Sequence, residues 1–276
     1  MTFDATKPFN ALPELPPVLD VKAERIQAGL TAARQALQRL NAVSRVVLAA
    51  EDFYSALLYE ETTSHDALAT NASAAALAWA MRFAQDDAKV CSAARYRSAL
   101  VCGCAYVRAN SKISVELLLE LHRLLCAHPY SGIRDGKVRV SDGRRLIFTA
   151  PVGRDRLMQL LRNLEDYINN DPTDALVKLG VILHQFIWIH PFCDGNGRVG
   201  RLLMVLYLLH AQAIDEPVLF LNCYFKAHFE QYLHVLNTTL LTQNWENLLC
   251  FMLSAVEKTA EATIQKAVPL GSGGCH

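Results

Sequence analysis

Residues 179–209 read "LGVILHQFIWIHPFCDGNGRVGRLLMVLYLL". Two apolar runs, 179–189 and 202–209, enclose twelve residues rich in polar, loop-forming chemistry. The first run is apolar on nearly all sides, as expected of a central buried helix. It must end at His190, because Pro191 disfavours the helical conformation at the residue before it. The second run is expected to be a helix from about Arg198 to Gln212. Between them, Gly195 and Gly197 permit backbone angles closed to other residues.

This loop has the makings of an anion site. The unbonded N–H groups at the start of the second helix, with the helix dipole, favour a bound anion. Arg198 and Arg201 add fixed positive charge suited to phosphate oxygens. Asp194 would be repelled by phosphate unless a cation lay between them, and Mg²⁺ takes a carboxylate together with phosphate oxygens. His190 is the one group of the loop able to accept a proton near neutral pH. The pattern is not a Walker A loop, since G-x-x-x-x-G-K-[ST] is absent from the chain. Nor is it a dinucleotide fingerprint, because it joins helix to helix.

Helical spacing continues on both sides. Ile26, Leu30, Ala33, Leu37 and Leu40 form one stripe, and a second helical run is expected from about Val43 to Tyr59. Ala-rich residues 70–85 read as helix. Ser114 is a good N-cap for a helix carrying Leu117, Leu121 and Leu124. Residues 129–156 differ, with Gly-based turns and one arm of a small hairpin at 144–151. Leu157, Leu160, Leu161, Leu164 and Ile168 mark another helix, and two more are expected near 226–238 and 244–265. The chain is thus predicted to be mainly α, with one small β element. We divide it into an extended arm at 1–18, which carries four Pro, a helical region at 19–110, a core at 111–265 and a flexible tail at 266–276.

Bulk properties narrow the function classes. In 276 residues, Lys+Arg and Asp+Glu both number 27. That balance argues against a dedicated nucleic-acid or membrane-surface binder. There is no signal-peptide pattern at the N-terminus and no apolar run long enough to span a membrane, so a cytoplasmic protein is expected, with delivery into a host cell left open. The eight Cys are scattered without a C-x-x-C pair and read as buried free thiols. His184 reads as a core histidine and Trp188 as core packing, and the remaining His have no zinc-ligand spacing.

The stretch "HPFCDGNGRVGR" resembles the Fic family signature H-P-F-x-[DE]-G-N-G-R-x-x-R at every defined position. "GKVR" at 136–139 is similar to the family's G-x-[FY]-R ahead of its flap. The last helices also look like the family's, so the resemblance extends over roughly residues 10–265. It implies a helical Fic fold with a hairpin flap, and an enzyme moving AMP from ATP to a Ser, Thr or Tyr hydroxyl of a target protein. By the same resemblance His190 is the base, Asp194 holds Mg²⁺, and Gly195, Asn196 and Gly197 form the anion nest. Arg198 and Arg201 contact phosphates, with Arg201 on the γ-phosphate, and Phe192 anchors the loop. Tyr232 lines the nucleoside pocket. The flap residues Leu146, Ile147, Phe148, Thr149 and Ala150 align a target segment by strand addition.

Gly197 stands where the family's kinase-like branch has Lys, which favours AMP transfer. The family's inhibitory pattern, [ST]-x-x-x-E-[GN], is best approached by "ALLYEE" at 56–61. There Ala56 replaces the hydroxyl residue and Glu61 replaces Gly or Asn, which places the expected inhibitory Glu, the partner of Arg201, at Glu60. DeAMPylation, transfer of another nucleotide and a catalytically idle module remain alternatives. The resemblance also admits a homodimer.

Overall fold

The computed structural model describes residues 6–7, 12, 14–62, 88–126, 132–141 and 146–271. The expected helix at 70–85 lies outside them. Among the described residues the chain is helical apart from one two-stranded antiparallel hairpin.

The central helix α6 (Ala175–Ile189) explains the rest of the architecture. Its start is fixed by Asp174, whose side chain accepts from the N–H groups of Leu176 and Val177. Its end is fixed at His190, which takes a left-handed conformation (φ 47°) ahead of Pro191. An apolar helix buried all round needs neighbours on every side, and each Leu, Ile or Phe so covered contributes about 1.5–3 kcal/mol. Those neighbours are α5 (Arg154–Asn170), α7 (Asn196–His210) and α10 (Glu246–Gly271). Lys178, buried on α6, donates to the carbonyls of Ile168 and Asp171 at 2.9 and 2.8 Å, and so caps the end of α5.

An outer layer completes the bundle. α1 (Glu24–Ala49) packs along α10, and α2 (Glu51–Thr62) follows after a break at Ala50. α3 (Ala88–Asn110) and α4 (Val115–Cys126) pack on the far side of α7. α3 crosses α7 closely at Gly103, where a Cβ would lie 2.5 Å from a methyl of Leu206. The helices α8 (Asn222–Ala227) and α9 (Phe229–Thr242) close the structure over α10. The hairpin pairs β1 (Arg139–Ser141) with β2 (Leu146–Thr149), and Phe148 packs on Trp188, fastening the hairpin to the last turn of α6.

Several boundaries differ from expectation. α1 runs unbroken to Ala49, so the second helical run is split at Ala50 and not at Val43. α7 begins at Asn196, two residues before Arg198, because the loop's own Asn satisfies the turn (below). α10 continues past residue 265 to Gly271, so the first residues of the expected tail are helical. In the arm, Leu12 and Leu15 are buried, and the Leu15 backbone exchanges two hydrogen bonds with the Asn163 side chain, at 2.7 and 3.1 Å. The six Cys whose side chains are described are unpaired, as expected, but among them only Cys104 is buried and Cys193 is exposed. His184 and Trp188 are core residues.

Candidate active site

The polar loop is built by contacts that close on themselves. Asn196, 2% exposed, clamps the main chain of Phe192 with both ends of its amide: the Phe192 N–H donates to Oδ1 at 3.0 Å, and Nδ2 donates to the Phe192 carbonyl at 2.8 Å. Its side chain is therefore spent on the turn, and the backbone is what it can offer a ligand. Phe192 is buried and stacked on His122, with ring centroids 3.9 Å apart and planes 5° from parallel. His122 Nε2 bonds the Asp194 carbonyl at 3.1 Å. Gly195 is left-handed (φ 80°), and a Cβ there would stand 2.4 Å from the Cys126 sulfur, so conformation and packing both demand glycine.

A second support was not read from the sequence. Arg134, 3% exposed, donates from Nε to the His190 carbonyl (2.7 Å), from Nη1 to the Gly136 carbonyl (2.8 Å) and from Nη2 to the Pro151 carbonyl (2.6 Å). Its own N–H donates to the Pro191 carbonyl at 3.0 Å. One guanidinium thus ties the His190–Pro191 turn to both feet of the hairpin. Arg139, the arginine of "GKVR", sits on β1. The signal was present in "SGIR" at 131–134, a Gly–Ile–Arg ahead of the hairpin.

His190 Nδ1 lies 3.3 Å from the Ile187 carbonyl. That contact fits a proton on Nδ1 and leaves Nε2 as the basic nitrogen. Burial pushes the imidazole down to about 4; the Ile187 contact opposes this and Arg134 adds to it. His190 is therefore neutral at pH 7. It shares a cavity of about 450 Å³ with Gly197, Arg198, Arg201, Phe148 and Tyr232. Tyr232 stacks on Phe225 at 4.8 Å in the apolar wall. Asp194 projects its carboxylate into solvent, 87% exposed, 3.1 Å from Arg198. In the hairpin, Phe148, Thr149 and Ala150 bury their side chains, and the Ala150 N–H bonds the Val138 carbonyl at 2.9 Å, while Leu146 is half-buried.

Arg201 corrects the expected register of the inhibitory Glu. It is paired with Glu61, not Glu60: Nε to Oε1 is 2.8 Å, and Nη2 reaches the Glu61 carbonyl at 3.3 Å. The other carboxylate oxygen accepts the Asn222 N–H at 3.0 Å. Burial pushes the Glu61 carboxyl up, against Arg201 and Asn222, which favour its anion. Glu60, one position round the helix, faces α10 and pairs with Lys266 at 3.1 Å. The physical reason is the stripe of α2. Tyr54, Leu57, Leu58 and Glu61 follow the spacing of one buried face, and all four are buried.

The Fic/DOC family model matches residues 112–208, which hold α4, the hairpin, α5, α6, the loop and most of α7. Residues 112–208 are therefore similar to a Fic domain. The chain is 27% identical to protein adenylyltransferase fic-1 of Caenorhabditis elegans over 164 residues, 58% of this chain and 30% of that protein. It is 34% identical to protein adenylyltransferase Fic of Drosophila willistoni over 105 residues, 36% of this chain and 20% of that protein. It therefore spans a third or less of the length of these curated relatives. Among solved structures, a Fic family protein from Desulfovibrio desulfuricans superposes with a TM-score of 0.73 at 20% identity, covering 91% of this chain and 77% of the other. A fragment of Fic-1 from C. elegans gives 0.68 at 21%, covering 92% and 75%. These likenesses show a shared helical fold. No described helix is long and apolar enough to cross a membrane.

Proposed function

We propose that this chain is a protein adenylyltransferase that moves AMP from ATP to a hydroxyl side chain of a target protein, and that Glu61 restrains it. The observation that carries the reading is a neutral imidazole, His190, lining one cavity with Arg198 and Arg201 beside a short hairpin. Nε2 of His190 takes the hydroxyl proton as the target oxygen attacks the α-phosphorus. The new bond is O–Pα; the bond broken joins Pα to the bridging oxygen, and pyrophosphate leaves with that electron pair. Arg198 and Arg201 stabilise the charge that builds on the phosphate chain. The backbone N–H groups at the start of α7 receive phosphate oxygens. The outer edge of β2 aligns a target segment through its main chain, and Tyr232 and Phe225 face the nucleoside.

The donor set suits magnesium that arrives with the nucleotide. Among the described residues no three His, Cys, Asp or Glu side chains converge on one metal position, and a single exposed carboxylate, Asp194, stands beside the phosphate-binding arginines. One carboxylate plus phosphate oxygens is an ordinary magnesium environment. The ion would offset negative charge on the phosphates. A cytoplasmic setting accords with the unpaired Cys. DeAMPylation by the same site is the second reading, since Glu61 is a buried carboxylate held against Arg201 in the same site.

ATP labelled at the α or the γ position distinguishes the chemistry. Label on protein from the α position alone, absent in His190→Ala, is expected. Label from γ would sink the reading of Gly197 and of AMP transfer.

A further inference from the structure

The cavity that holds His190 has two chemically different ends. Arg198 and Arg201 line one of them. The other is apolar, walled by Leu183 and Ile187 of α6 and by Leu233 and Leu236 of α9. Leu183 precedes the His190 turn by about 10 Å along α6, at the rise of an α-helix. Leu236 stands at the same level on the opposite wall, with its backbone beside His184. A cavity of that length has room for a ribose and a base beyond the phosphates.

One polar side chain stands in the apolar end. Asn237 lies on the same face of α9 as Leu233, one turn further on, and lines the cavity there. Its Oδ1 is fully buried and meets no donor among the described residues. Nδ2 is not sealed in this way, so it is the end of the amide that can face a ligand.

Leucine would fill this position with no polar group to satisfy, whereas an amide in an apolar wall is costly unless something bonds it. A ligand that brings a hydrogen-bond acceptor to this end of the cavity accounts for the choice of residue. We propose that Asn237 reads the base of the nucleotide, with Nδ2 donating to a ring nitrogen of a purine. This rests on the nucleotide-site reading above and adds the residue that selects the base. With the ribose held in one place, a purine reaches farther from the sugar than a pyrimidine does. The far end of the cavity is therefore within reach of a purine alone.

The test is equilibrium binding of ATP, UTP and inorganic tripolyphosphate, each with magnesium, to the full chain carrying Glu61→Gly, compared with Glu61→Gly/Asn237→Leu. The expected result is a loss of about five- to tenfold in ATP affinity, the scale of one hydrogen bond, with UTP and tripolyphosphate unchanged. Asn237→Ala replaces the Leu variant if circular dichroism shows that Leu does not fold. An unchanged ATP affinity overturns the proposal. So does a loss shared equally by UTP or by tripolyphosphate, the latter being the outcome for a purely structural asparagine. The failures are separable. A Glu61→Gly chain that binds neither ATP nor tripolyphosphate refutes the phosphate-site reading, and the proposal with it. An Asn237-dependent preference for ATP without label on protein refutes transfer and sustains the asparagine.

Discussion

Two segments meet at the cavity and are held in opposite ways. The loop from His190 to Asn196 is fastened from behind, by the Asn196 clamp, the His122–Phe192 stack and the Arg134 guanidinium. None of those contacts would be given up to a ligand. The end of α2 is fastened from the front, by Arg201, Asn222 and Lys226, which are the cavity's own donors. The first arrangement fixes the loop without drawing on the cavity's own donors. On the proposed function, the second would compete with the phosphates of ATP for the same donors.

That contrast can be broken from either side. The largest effect is expected from His190→Ala, which removes the base and should lower AMP transfer by about 10²–10⁴-fold with nucleotide binding intact; an active Ala variant would reassign the base. Arg134→Met should act on the loop's support. It leaves several buried carbonyls without a donor and should cost roughly 2–4 kcal/mol in denaturant unfolding. A loss below about 0.5 kcal/mol would show that the turn holds without it.

Acid offers a third probe. The folded-state pKa of His190 is depressed, so the base stays deprotonated as pH falls through 6.5 and is lost only towards about 4. The kcat/KM profile should therefore lack a step near 6.5 assignable to His190. His184, which burial lowers to about 3, shares the sign. Between their folded values and 6.5 the unfolded chain binds more protons than the folded one, so stability should fall as pH drops below about 6.5. A melting temperature that rises on acidification through that window would contradict both. The smallest effect is reserved for Glu60→Ala. The Glu60–Lys266 pair is partly exposed and worth only about 0.2–1 kcal/mol, so initial rates should shift by less than about fivefold.

Much of the fold was legible because long apolar stretches leave little choice. The stripe at Leu157–Ile168 and the largely apolar run before Pro191 dictated α5 and α6 and the position of the turn between α6 and α7. α3 was harder to read, since its apolar residues are distributed round the helix without a stripe. At the site, the residue types in the loop pointed to anion chemistry, which the proposed function carries forward. The supports did not announce themselves. His122 is 72 residues from its partner Asp194, and Arg134 is 56 from His190. Contacts at such separations follow from packing and not from local spacing. The register of α2 fell between the two cases. Matching a hydroxyl-based motif pointed to Glu60, whereas the helical spacing of Tyr54, Leu57 and Leu58 points to Glu61.

The most direct measurement is the initial rate of AMP incorporation from α-labelled ATP, in wild type and Glu61→Gly side by side. Losing one charged contact that competes with ATP should raise the rate about ten- to a hundredfold. An unchanged or lower rate in Glu61→Gly would contradict the claim that the end of α2 occupies the seat of the nucleotide's phosphates.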